Sequence, residues 1–159
     1  MNRTIILEAI RKNVDLLSST CLPDYQYIPL HQRTSPSVAE LRNIMSLLQK
    51  VIFPGFFGTE EEAQTDSMAY YIGVYLEQVY DLLQEQIFHG LCFEREADCP
   101  DEPRDRASEV AVAFINQVPR IKYLLSTDVK AILDGDPAAK SPSEIIFCYP
   151  AVRAILHQR

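Results

Sequence analysis

Apolar residues in this chain recur at intervals of three and four, the spacing that lines one face of an α-helix. Ile6, Ile10, Val14 and Leu17 form one such stripe, and Leu41, Ile44, Leu48 and Ile52 a second. Met68, Ile72, Tyr75, Val79, Leu82, Leu83 and Ile87 form a third, Val110, Ala113, Phe114 and Val118 a fourth, and Val152, Ile155, Leu156 and Arg159 the last. Only 5 glycines occur in 159 residues, and no hairpin dipeptide such as Asn-Gly is present, so a β-meander lacks its turns. The run from Ile145 to Tyr149 has strand-like composition, but the helix-start signal just before it favours helix. The pattern predicts an all-α protein, a bundle of about seven or eight helices with no sheet, forming a single domain over residues 1–159.

Start and stop signals place the helices. The first is expected from about Arg3 to Ser18. Ser37 with Glu40 reads as a capping box, in which each residue's side chain satisfies the other's backbone N–H. Pro54-Gly55 breaks that second helix after Phe53. Thr65 or Asp66 caps the third, with Glu60, Glu61 and Glu62 at the end its dipole favours, and Gly90 is the expected stop. The polar stretch from Glu94 to Pro103 reads as the most mobile loop. A fourth helix is expected over Arg104 to Gln117. Pro119 should end it and open a short fifth through Leu125, because proline lacks the N–H that an interior turn needs. Thr127 caps a sixth, stopped by Gly135. Ser141 with Glu144 is a second capping box, and Pro150 restarts or kinks the last helix. That helix reaches Arg159 without a stop signal, so a fragment of a longer protein is expected.

Composition narrows the function classes. Lys plus Arg is 15 against 22 for Asp plus Glu, a net charge of -7, which argues against nucleic-acid binding, since a phosphate backbone is met by clustered positive charge. No apolar run approaches the roughly 20 residues that span a bilayer, so no membrane partner is expected. The N-terminus carries Arg3 and Glu8 around its short apolar stretch and has no cleavage site of small residues, so it does not read as a secretion signal. A cytoplasmic location follows, with Cys21, Cys92, Cys99 and Cys148 as free thiols.

Few residues carry chemistry. His31, His89 and His157 lack partners at metal-ligand spacing, and no Gly-rich phosphate loop or nucleophile elbow occurs. No metal and no bound cofactor is expected. His89, beside Gly90, reads as a helix C-terminal cation. His157 reads as a surface or packing residue, and Cys148 as a small core hydrophobe. The eight tyrosines read as packing residues with a polar tip. Asp134 reads as a solvated charge. Asp136 stands apart, between Gly135, which can take a left-handed conformation, and Pro137, which restricts the residue before it. Its carboxylate therefore sits on a short, pinned corner. From the residues alone the simpler role is to cap the turn that begins at Pro137.

The C-terminal third carries a resemblance. Asp134-Gly135-Asp136-Pro137-Ala138, then Ser141-Pro142-Ser143-Glu144, then Tyr149-Pro150-Ala151 leading to Ala154 and Arg159, resembles the end of the helical N-terminal domain of bacterial serine O-acetyltransferases. The likeness is to the variety with an extended helical region. Leu41-Arg42, Pro54-Gly55-Phe56-Phe57-Gly58 and Ile87-Phe88-His89-Gly90-Leu91 are similar to the same group, so the resemblance covers about residue 35 to the end. Ala151 departs from the glycine usual after the Tyr-Pro pair.

The resemblance implies an enzyme that transfers acetyl from acetyl-CoA to the L-serine hydroxyl, giving O-acetylserine for cysteine synthesis. It implies a helical domain followed by a left-handed parallel β-helix of hexapeptide repeats that forms trimers, with a His general base oriented by an Asp in that second part. Neither the repeats nor the base occurs here, so this segment contributes no catalytic residue and is expected to be inactive alone, with acetyl-CoA a co-substrate of the intact enzyme only. The implied role of Asp136 is to hold the serine ammonium, which reverses the preference for a mere turn cap. A homo-oligomer is implied, and cysteine synthase is an implied partner through a C-terminal tail that is absent. Two alternatives stand beside this reading: a stand-alone, non-catalytic helical interaction module, and a thiol or metal sensor using Cys92 and Cys99.

Overall fold

The computed structural model describes residues 3–18, 35–93 and 102–158. They form six helices, α1 (Arg3–Ser18), α2 (Val38–Ile52), α3 (Thr65–Phe93), α4 (Glu102–Gly135), α5 (Pro142–Cys148) and α6 (Pro150–Gln158), and no strand. The all-α expectation holds, and the count is six among the described residues rather than seven or eight. The chain divides into two compact units, residues 1–33 and 34–159. In the first, α1 carries its apolar stripe along one side over the expected span. The second holds the other five helices and the core.

The missing helices were absorbed into α4, which runs 34 residues with Pro119 inside it. Proline removes the N–H that would bond the Ile115 carbonyl one turn earlier, at a cost of about 3 kcal/mol in a helix interior. Packing outweighs that cost. Ala107, Ala111, Val118, Leu125 and Val129 are buried along one side, with Phe114, Ile121 and Ile132 packed beside the core. Their spacings of three and four form one seam that passes Pro119 without a break, and Pro119 itself lies on the exposed side. Each large apolar side chain on that seam contributes about 1.5–3 kcal/mol when fully enclosed. Ser126 and Thr127 do not cap a new helix. Their hydroxyls donate back to the carbonyls of Lys122 and Leu124 at 2.9 and 2.7 Å, a mode that leaves the helix intact. Val110 and Ala113, expected in the core, are exposed, because the seam runs through Ala107 and Ala111 instead.

Helices α2, α3 and α4 pack as antiparallel neighbours. At the start of α2, Ser37 Oγ accepts from the Glu40 N–H at 3.3 Å, half of the expected box. The reciprocal half is replaced. The Ser37 N–H donates to Gln86 Oε1 on α3 at 2.6 Å, and Gln86 is only 7% exposed, so a long-range side chain meets the orphan donor that Glu40 was expected to meet. At the other end of α2, Lys50 Nζ donates to the Tyr75 hydroxyl at 3.2 Å and lies 3.7 Å from Glu62. The Tyr75 hydroxyl, then Lys50, hold the Glu62 carboxyl below its ordinary range against the opposing effect of its partial burial. Gly58 makes room for this cluster, since a Cβ there would collide with the Glu62 carboxylate. Gly55 turns the chain at a φ of 83°, where glycine is favoured. Phe56 and Phe57 then reach Phe147 of α5, with ring centroids 5.2 and 5.8 Å apart.

Gly90 does not stop α3, which continues to Phe93. Phe88 and Cys92 are buried with Ala107 of α4 in a second apolar cluster, and burying them favours extending the helix past the glycine, whose cost is about 1 kcal/mol. Cys92 is disulfide-bonded, which corrects the expectation of a free thiol there. The loop expected over 94–103 falls mostly outside the described residues, although Pro103 belongs to the first turn of α4.

Leu125 has no exposed surface and sits at the middle of the seam, so Leu125→Ala is expected to destabilise the fold by about 2–5 kcal/mol. The exposed Val112→Ala on the opposite side should change stability by less than about 0.5 kcal/mol. Urea denaturation followed by circular dichroism measures both, and a Leu125 variant as stable as the Val112 variant would contradict the seam.

Candidate functional site

The corner after α4 brings Asp136 together with a residue thirteen positions later. Gly135 is the last residue of α4 and does not adopt a positive φ, contrary to the left-handed closure expected of it. The helix ends instead because Pro137 follows, which disfavours helical backbone at residue 136. The Asp136 N–H donates to the Ile132 carbonyl at 2.9 Å, closing α4, and its own carbonyl accepts from the Ala139 N–H at 3.0 Å. The corner is thus held from both sides.

The carboxylate is held as firmly as the backbone. Oδ1 accepts from the Ala138 N–H at 2.9 Å, an Asx turn spanning Pro137. Oδ2 accepts from the Tyr149 hydroxyl at 2.8 Å. The turn-capping role foreseen for Asp136 is therefore present on one oxygen, while the other is committed to a phenol from another element. The Ala138 N–H, and after it the Tyr149 hydroxyl, favour the ionised form and hold the Asp136 carboxyl below its ordinary value. The same bond, then burial, push the Tyr149 phenol above its ordinary value, so it stays a neutral donor. A carboxylate offers about four lone-pair directions. Two are taken here, which leaves each oxygen able to accept once more.

Tyr149 is itself pinned. It lies between α5 and α6 with an extended backbone, φ -85° and ψ 115°, as expected before Pro150. Its N–H donates to the Ile145 carbonyl at 3.1 Å, and its carbonyl accepts from the Val152 N–H at 3.2 Å. The approach to this joint is set by the second capping motif, where Ser141 Oγ accepts from the Glu144 N–H at 3.1 Å. The Glu144 carboxylate accepts from the Lys140 N–H at 2.9 Å, one residue earlier than a capping box would place it. Ile145, wholly buried, anchors α5 on the core beside Leu125 and Val129. An open cleft of about 640 Å³ lies along α5 and α6, with Tyr149, Cys148, Arg153 and His157 among its walls.

The other residues singled out from the sequence fall elsewhere or outside the described part. Asp134 pairs with Lys130 at 2.6 Å in an exposed contact. His89 is not at a helix end, since α3 extends four residues further; its Nε2 lies 3.8 Å from Glu85. Cys148 is free and exposed rather than in the core, because α5 turns Ile145 inward and leaves this position outside. His157 is exposed on α6. His31, Cys21 and Cys99 lie outside the described residues. The disulfide at Cys92 removes the thiolate that a metal sensor would need. Among the described residues no group of three or more His, Cys, Asp or Glu is placed to hold a metal ion, and no helix is long and apolar enough to cross a membrane. Tyr149 is the site residue that sequence reasoning missed as such. Its Tyr-Pro context was visible, but a bond across thirteen residues has no local signature.

No protein-family model matches the chain. It is similar to a plasmid-encoded serine acetyltransferase of Synechococcus elongatus, with 37% identity over 161 residues that cover 98% of this chain and 48% of that relative. It spans about half the length of the relative it matches. The Asp136 corner and the Tyr149 joint both fall within the stretch so covered.

The pH dependence follows from the bonds on Asp136. A carboxyl whose folded value is depressed contributes stability in full above its unfolded value, ordinarily 3.8, and loses it as pH falls through the lower folded value. Carboxyl-detected NMR titration is expected to place the Asp136 midpoint below 3.8; a midpoint at or above that value would contradict the two donors.

Proposed function

We propose that this chain is the helical domain of a serine O-acetyltransferase, the enzyme that makes O-acetyl-L-serine from L-serine and acetyl-CoA for cysteine synthesis. The single observation that carries the reading is the similarity of nearly the whole chain to about half of a serine acetyltransferase. The catalytic work belongs to a β-helical part outside these 159 residues, including the base that takes the serine hydroxyl proton and the surface that receives acetyl-CoA. This segment binds no cofactor of its own, supports assembly of a homo-oligomer, and is inactive alone. The intact enzyme works in the cytoplasm and docks cysteine synthase through a tail beyond this segment.

Within that enzyme, Asp136 holds the ammonium of serine. The geometry supports this in three ways. The corner is fixed by backbone bonds on both sides, so little ordering is left for substrate binding to impose. The carboxylate is ionised at neutral pH, because both of its partners favour the charged form. Its unused lone pairs accept charge-assisted hydrogen bonds, each contributing about 1.5–3 kcal/mol.

The reading is tested by Asp136→Asn in the complete enzyme. Asparagine keeps the shape and the turn bond and removes the charge. The expected result is a roughly ten- to hundredfold rise in KM for serine with KM for acetyl-CoA nearly unchanged; equal serine kinetics would remove Asp136 from the site. The wider assignment is tested by reading the gene past the codon for Arg159. A frame continuing into hexapeptide repeats is the expected outcome, and a stop codon there would favour a stand-alone interaction module.

A further inference from the structure

The Tyr149 ring packs at the edge of the core, but packing does not account for the bond its hydroxyl makes. The core of this region is made by Leu125, Val129 and Ile145, and Tyr149 is only partly buried at its edge. A phenol at the rim of a cleft satisfies its hydroxyl with water at little cost. Here it donates instead to a carboxylate on a different element, at 2.8 Å. The effect on the carboxylate is specific. Held by the Ala138 N–H alone, an aspartate keeps freedom about its last torsion, because rotation of a planar carboxylate about an sp³–sp² bond is soft. A second donor on the other oxygen fixes the plane.

We propose that Tyr149 is a positioning residue, whose hydroxyl fixes the plane of the Asp136 carboxylate so that its two free lone pairs meet an amino-acid ammonium in one orientation. The inference rests on the reading of Asp136 as the serine contact. Tyr149 suits the task because its own backbone is bonded to Ile145 and Val152 and followed by Pro150. The clamp thus ties the end of α4 to the α5–α6 joint, and the plane of the Asp136 carboxylate moves only if that joint moves. The ionisable groups around the phenol are Asp136, Glu144 and Cys148, all of which keep it protonated, and Arg153 and His157 line the same cleft. The donor therefore stays in place through neutral pH.

The test compares Tyr149→Phe, Asp136→Asn and the double variant in the complete enzyme, with serine and acetyl-CoA kinetics measured for each. Phenylalanine keeps the ring and removes only the donor. The expected result for Tyr149→Phe is a roughly two- to tenfold rise in KM for serine, with kcat and KM for acetyl-CoA close to wild type. The Asp136 carboxyl itself, having lost a donor, should titrate at higher pH when followed by carboxyl NMR. Added to Asp136→Asn, the tyrosine change should have little further effect, since both act on one contact. A role in packing alone would lower the melting temperature without separating the two KM values or moving the Asp136 titration, and that outcome overturns the inference. If Asp136→Asn raises KM for serine and Tyr149→Phe does not, the clamp is wrong and the Asp136 reading stands. If neither variant alters serine kinetics, both fail. Carboxyl NMR on the 159-residue chain supplies a readout independent of catalysis: an Asp136 midpoint unmoved by Tyr149→Phe also overturns the clamp.

Discussion

One seam of apolar side chains along α4 carries the packing of the helical unit. Ala107, Ala111, Val118, Leu125 and Val129 are buried on it, and α2, α3, α5 and α6 all pack against this helix. Its small residues lie at the start, where α3 approaches closely and Phe88 and Cys92 are enclosed. Its larger residues lie further on, where Ile145, Val152 and Leu156 of the short C-terminal helices join the same core. A break at Pro119 would divide that seam. The cost of one proline in a helix is a few kcal/mol, and the burial of several large side chains exceeds it, so the helix stays whole.

The length of α4 decides where the functional corner falls. Its last hydrogen bond is made by the Asp136 N–H, so the carboxylate stands at the end of the longest rigid element. The chain then returns through α5, held by Ile145 in the core, and the turn into α6 delivers Tyr149 to the same place. Neither residue is buried in the core. Both inherit its rigidity through backbone bonds, which is how a partly exposed carboxylate acquires two protein donors and still keeps lone pairs for a ligand.

Much of this was legible in the residues. Ser37 and Ser141 were visible as helix caps, because an N-cap is a local device whose donor lies three positions away. Pro54-Gly55 and Tyr149-Pro150 were visible as boundaries. The corner at Asp136 was visible from Pro137 and the sequence around it. What failed were the breakers inside long helices. Gly90 and Pro119 each have a local preference worth a kcal/mol or a few, and at both distant side chains outweighed it. The half-formed capping box at Ser37 is the same lesson on a smaller scale, since Gln86 comes from another helix to take a donor that local pattern assigned to Glu40.

By itself the sequence determined the all-α class, the starts of α2, α5 and α6, and the pinned corner at residue 136, since periodicity, caps and proline restrictions act within a few residues of their cause. Tertiary structure decided that α4 runs through Pro119, that α3 runs past Gly90, and that a phenol thirteen residues away completes the carboxylate's surroundings. Those outcomes depend on surface buried between segments distant in the chain, and no local preference records that energy.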